Sequence, residues 1–183
     1  MKPQNIDATK TVQSNSNNEK FTMNKDTLSD EMRSRIVKID DYLRSSGYIL
    51  AKKQGYFPVF QSQDGRKKYI SPFNSPAGFS WIGAFFGFAV CTQIREWSFF
   101  YVLGIVNFVS SVASVVLKRT DITEGMSTGV GIMYGIYFPY LRYIALSRGV
   151  PEISKGKSIL LGMLILIAVS IPGILINSFF LPK

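Results

Sequence analysis

The sequence predicts an all-α membrane protein: three transmembrane helices plus one short re-entrant or interfacial helix, with a small cytoplasmic head built from a helix and a β-hairpin. Three observations predict it. Ser98 through Leu117, Gly125 through Leu141 and Ser158 through Pro182 each lack a charged residue, and each approaches or exceeds the roughly 17–25 residues that cross a bilayer's hydrocarbon. Apolar residues crowd into the C-terminal half, without the spread of helical or strand periodicity that a soluble core shows. The chain before residue 75 is polar, with thirteen Lys and Arg against eight Asp and Glu.

Residues 1–26 are rich in Asn, Ser, Gln, Thr and Lys and hold almost nothing to bury. Such a segment cannot offset its ordering entropy, so it is read as a disordered tail. It has no apolar h-region or small-residue cleavage site, and no cleavable signal peptide is expected. Residues 27–74 are read as the head. Leu28, Met32, Ile36, Ile39 and Leu43 recur at spacings of four and three, Thr27 with Asp30 offers a capping pair, and Gly47 offers a stop. That pattern is an amphipathic helix whose apolar face packs on the next segment. Within Tyr48 to Ser71, Asp64 and Gly65 separate Val59-Phe60-Gln61 from Tyr69-Ile70, which suits a hairpin turn. The unit is too short for a sizeable core of its own and is expected to lean on the membrane part.

Residues 75–183 are read as a helical membrane domain. The stretch 79–94 is apolar mainly from Phe79 to Cys91 and carries Gly83 and Gly87 inside it, too short for a full span and suited to a re-entrant or interfacial helix. Arg95 and Glu96 close it, and Trp97 and Tyr101 follow as headgroup-level aromatics. Spans are predicted over 98–117, 127–146 and 158–181. Bases gather on the cytoplasmic side of spans. If 79–94 does not cross, one side holds Arg66, Lys67, Lys68, Arg95, Arg142, Arg148, Lys155 and Lys157, and the other holds Lys118, Arg119 and Lys183. The rule therefore favours three spans with a cytoplasmic N-terminus, four spans being the alternative.

The residue inventory argues against chemistry. No Asp or Glu lies inside a predicted span, and the chain has 0 His. The usual general bases, metal ligands and proton relays are thereby missing, so no catalytic residue, cofactor or metal is expected. Glu96, Asp121, Glu124 and Glu152 read as solvated loop charges. The net charge of +9 does not indicate nucleic acid, because the tail is mixed in sign and has no basic face interleaved with aromatics. Cys91, alone in its residue type, reads as a small buried hydrophobe.

Two groups of residues remain as candidate contacts. Arg142 lies among Tyr134, Tyr137, Phe138, Tyr140 and Tyr143. It reads either as a cation held by tyrosine faces for a lipid phosphate or acidic partner, or as a base that snorkels to the interface beside an aromatic belt. Arg66, Lys67 and Lys68, with Lys52 and Lys53, read as headgroup contacts or as topology determinants. Small residues at four-residue spacing, Gly83 with Gly87, Ser110 with Ser114 and Gly131 with Gly135, permit close helix packing within the chain or with a partner. Asn107 and Asn177 can hydrogen-bond between helices, and Pro139 and Pro172 mark kinks.

Phe79, Trp81, Ala84, Phe85, Phe86 and Gly87, then Arg95 and Trp97 leading into an apolar span, resemble a bacterial family of small integral membrane proteins catalogued as a domain of unknown function. Tyr137, Tyr140, Arg142 and Tyr143 resemble the aromatic and basic end of that family's second span. The resemblance covers about residues 75 to 150, and it departs where the family commonly has Pro and this chain has Phe88. It implies a multi-pass protein of the bacterial inner membrane with a cytoplasmic N-terminus, and implies no activity.

The expected function is that of a non-enzymatic accessory or assembly partner of an envelope complex, in contact with membrane lipids and with a membrane-protein partner or a second copy of itself. The alternative is a small transporter or channel subunit with a polar path past Asn107 and Asn177. A lipid-modifying enzyme has the least support, since no acid, base or nucleophile cluster is visible.

Overall fold

The apolar periodicity from Leu28 materialises as α1, Asp30–Ser46, in the computed structural model, which describes residues 28–53, 57–71, 75–119 and 121–180. The expected disordered tail, residues 1–26, lies outside the described residues. The helix is capped by Ser29, whose hydroxyl accepts from the Met32 amide at 3.4 Å, and not by Thr27. Asp30 and Glu31 fill its first turn, where carboxylates favour the helix dipole, and Gly47 ends it with φ 68°. The predicted face is the buried one: Leu28, Met32, Ile36 and Ile39 are all inside.

The head holds one strand more than the predicted hairpin. β1 (Tyr48–Lys53), β2 (Phe57–Ser62) and β3 (Lys67–Tyr69) form an antiparallel sheet in that order. Leu50 faces Phe60 across β1 and β2, and Phe60 faces Lys68 across β2 and β3. Tyr48 and Leu50 turn inward toward Ile39 and Phe60 while Ile49 stays exposed, the alternation of a half-buried strand. Asp64 and Gly65 do turn the β2–β3 hairpin, with Gly65 at φ 84° and the Ser62 amide donating to the Arg66 carbonyl at 2.8 Å. The loop is longer than the two-residue turn that an Asp-Gly pair favours.

The apolar stretch after the sheet forms two short helices, α2 (Trp81–Phe85) and α3 (Gly87–Gln93), of five and seven residues. Three long helices follow: α4 (Ser98–Leu117), α5 (Asp121–Ser147) and α6 (Lys155–Phe180). The chain is thus mostly helical, and two of its helices are long and apolar enough to cross a membrane. These are α4, with mean hydropathy 2.1, and α6, with mean hydropathy 2.8.

α4 and α5 run antiparallel: Ser98 pairs with Tyr134, and Ser114 with Thr123. α4 and α6 run parallel, because Gly104 faces Val169 while Ser111 faces Gly173 further along both helices. The first half of α5 packs on α4. Its second half is a pillar inside the head, where Tyr134, Phe138, Tyr140 and Leu141 are almost wholly buried against α1, the sheet and α2.

Pro139 explains how α2 is attached. Proline has no amide hydrogen, so Pro139 leaves the Gly135 carbonyl, one turn earlier in α5, without its helical donor. The Ser80 amide, at the start of α2, donates to that carbonyl at 2.7 Å. A buried backbone oxygen is satisfied from another element.

Candidate functional site

Three polar ties bind α1, residues 75–77 and α5 to one another, and two of them place Tyr140 and Tyr143, which the sequence marks as candidates. Tyr140 is wholly buried; its hydroxyl pairs with Ser75 Oγ at 2.6 Å and accepts from the Ala77 amide at 3.3 Å. The Phe60 ring meets it edge-on at 5.7 Å. Tyr143 donates to Asp40 of α1 at 3.1 Å. Arg35 of α1 donates to the Ala77 carbonyl at 2.9 Å. Tyr140 therefore faces protein and not lipid, and the tyrosines of this stretch cement the head where the sequence suggested an aromatic belt.

Arg142 is 8 % exposed. Its Nη2 donates to both oxygens of Glu152, at 2.8 and 3.0 Å, and Glu152 also accepts from Gln93 Nε2 at 3.0 Å. The Ile153 amide donates to the Gln93 carbonyl at 2.9 Å. Arg142 thus ties α5, the α5–α6 loop and α3 together, and it reaches a carboxylate where the sequence offered tyrosine faces or the interface. Glu152 and Glu96 are not the solvated loop charges expected of them. Glu96 is paired with Lys52 of β1, both side chains being mostly buried, and it also accepts from the Ser98 amide at the start of α4. These acids lie 10 and 44 residues from their partners, so no local spacing signals them.

The basic run of the sheet is on its edge. Arg66, Lys67 and Lys68 are exposed; Arg66 Nε bonds Asp64 at 2.6 Å and Lys68 Nζ bonds the Tyr42 hydroxyl at 3.1 Å. Tyr42 holds the Lys68 ammonium charged and raises its pKa. Lys67 and Lys68 also suit an edge strand, where lysines oppose pairing with another sheet.

The small-residue pairs lie where elements meet. A Cβ on Gly83 would sit 2.7 Å from Phe138 Cβ, on Gly87 2.7 Å from the Phe99 ring, on Gly131 2.9 Å from the Ala84 carbonyl oxygen and on Gly135 2.5 Å from the Phe79 ring. Ser110 and Ser114 are buried within the long-helix bundle. There Ser110 donates to the Asn107 carbonyl, Ser114 pairs with Thr123, and Ser111 with Asn107 lies beside Gly173 of α6, a polar seam. Ser127 donates to Asn107 Oδ1 at 2.8 Å, while Ser111 Oγ and Asn177 Oδ1 are buried without a partner.

A cavity of about 310 Å³ opens where α1, α2, α3, α5 and α6 meet. Met32, Ile82, Phe86, Val90 and Phe138 give it apolar walls, and Arg142 and Lys155 lie on its polar side. Among the described residues no cluster of His, Cys, Asp and Glu could hold a metal ion.

Fold and site together define a helical protein with two bilayer-length apolar helices and an ion-paired head fastened to their ends. No family model, curated protein or solved structure matches this chain.

Proposed function

We propose that the chain is a three-span inner-membrane protein acting as a non-enzymatic accessory or assembly partner of a bacterial envelope complex. The observation that carries the topology is the parallel packing of α4 on α6. Two parallel spans joined through one chain require a return crossing between them, and among the described residues α5 is the element that lies between them in the chain. Its 27 residues are long enough for that crossing, and Met126 and Ile132 of its first half are exposed. α2 and α3 are too short to cross; Phe88 beside Gly162 and Gly87 beside Phe99 put α3 near the starts of α6 and α4, and Gly83 beside Phe138 puts α2 against the second half of α5. The exposed Trp81, Phe85 and Phe86 are then an interfacial aromatic shelf. The head, with Arg66, Lys67, Lys68, Arg95, Arg148, Lys155 and Lys157, lies on the cytoplasmic side by the charge rule. The resemblance at residues 75 to 150 agrees with this placement.

An assembly role is supported by α6, the least covered of the long helices: only 11 % of its most apolar window is buried. Its stripe Leu160, Leu164, Ile167, Ile171 and Leu175 is open to lipid or to another protein's helix. Photo-crosslinking residues placed singly along that stripe in cells test the role. Crosslinks to one protein species at alternate turns are expected; crosslinks to lipid alone, from a chain that runs as a monomer in mild detergent, would refute it.

The polar seam favours a second reading, a small transporter or channel subunit. Two buried oxygens without partners, Ser111 Oγ and Asn177 Oδ1, are costly in a membrane interior unless a water or solute meets them. Asn107→Leu and Asn177→Leu that insert normally and abolish a solute flux would establish it.

A further inference from the structure

We infer that the cavity between α1, α3, α5 and α6 binds one anionic phospholipid, with its phosphate at Lys155 and Arg142 and the upper part of an acyl chain along Ile82, Phe86 and Ile159. The inference rests on the membrane reading above and adds a ligand to it. Charge complementarity is the first argument. Arg142 and Lys155 bring two positive charges to the cavity against the single carboxylate of Glu152, which Arg142 already engages. Lys155 is exposed and makes no ion pair among the described residues. The surplus of one charge matches a phosphodiester monoanion.

The second argument is a fixed cation on the cavity wall. Arg142 lines the cavity, is 8 % exposed, and its guanidinium is held in place by Nη2 donating to both oxygens of Glu152. The third is position. The cavity adjoins the first turn of α6, whose amides carry the positive end of the helix dipole. Its other rim is made by Ile82, Phe86 and Ile159, 55 %, 56 % and 47 % exposed, so it opens sideways onto the apolar surface that faces lipid. A volume of about 310 Å³ is at the lower end for ligand pockets. It suits a headgroup and the first methylenes of a chain whose remainder lies in the bilayer.

The test reconstitutes the full chain in vesicles of equal phosphatidylcholine and phosphatidylglycerol, extracts it in mild detergent and reads retained lipid by native mass spectrometry. Wild type should keep phosphatidylglycerol over phosphatidylcholine. Lys155→Gln, at an exposed position that cannot threaten folding, should cut that preference about fivefold, the worth of one base at a membrane surface. Val90→Phe, which fills the apolar part, should remove the retained lipid of either kind while circular dichroism stays unchanged. Retention of both lipids in vesicle proportion overturns the inference, as does undiminished preference in both variants. Equal thermal stabilisation of the delipidated chain by inorganic phosphate and by phosphatidylglycerol also overturns it, since that is an anion site without a chain slot. Failure of the membrane reading is separately visible as release of the chain from cell membranes by alkaline wash.

Discussion

At the scale of single residues, the glycines divide by what surrounds them. A Cβ on Gly162 would lie 2.6 Å from the Phe88 carbonyl oxygen, a backbone atom that cannot turn aside, whereas at Gly129 nothing lies within 4 Å. Gly162→Ala should therefore push α3 off α6 at a cost of about 1–3 kcal/mol, while Gly129→Ala should cost nothing, as read by detergent-unfolding midpoints. Arg142 and Glu152, with side chains 10 % and 20 % exposed, form the second test. Glu152→Gln leaves a buried guanidinium without its counter-charge and should destabilise the fold by about 3 kcal/mol, with a double-mutant cycle through Arg142→Met recovering much of the loss. Asp64 supplies a pH dependence. The Ser62 hydroxyl, then the Arg66 guanidinium, lower its carboxyl pKa below the model-compound 3.8. A lowered folded-state pKa means the contribution is complete above pH 3.8 and fades as pH falls through the folded value. Carboxyl chemical shifts should show a titration below 3.8 that moves back up in Arg66→Gln, and no movement would contradict the contact.

At the scale of elements, α2 depends on a helix it does not belong to. Removing a proline from a helix interior ordinarily strengthens that helix. Here Pro139→Ala should do the reverse for the protein, because the restored amide competes with Ser80 for the Gly135 carbonyl. Hydrogen exchange at the Ser80 amide should accelerate, and the emission of Trp81, next in α2, should shift. Unchanged protection at Ser80 would mean the two donors share the oxygen.

At the scale of the whole molecule, the arrangement is decided by which elements reach which end of the bundle. Lys52 with Glu96 and Tyr143 with Asp40 fasten the head to one end, where Arg142 with Glu152 ties α5 to the loop before α6, while Lys118 and Arg119 cap the other. Impermeant thiol labelling of intact cells, with Cys91→Ser and single cysteines at Ser62, Gln93, Thr123 and Ser154, should mark Thr123 alone. Labelling at Gln93 and Ser154 would mean that α2 and α3 had become a crossing, and would remove the three-span arrangement. Cys91 is 0 % exposed, so the serine replacement guards the experiment more than it changes it.

What the sequence determined by itself was whatever depends on near neighbours in the chain. The α1 face of Met32, Ile36 and Ile39, the stop at Gly47, the Asp64-Gly65 turn and the apolar lengths of α4 and α6 are all written in local spacing. Periodicity and length are properties of short windows, and burial follows them. The tertiary structure alone decided the rest. It added β1, whose last residues Lys52 and Lys53 look like loop. It took Tyr140 and Tyr143 into protein and turned Glu96 and Glu152 from loop charges into buried partners of Lys52 and Arg142. It also set α4 parallel to α6 and opened the cavity beside Arg142. Each of these depends on residues distant in the chain that meet only after packing, and an ion pair's worth depends on the burial that packing creates.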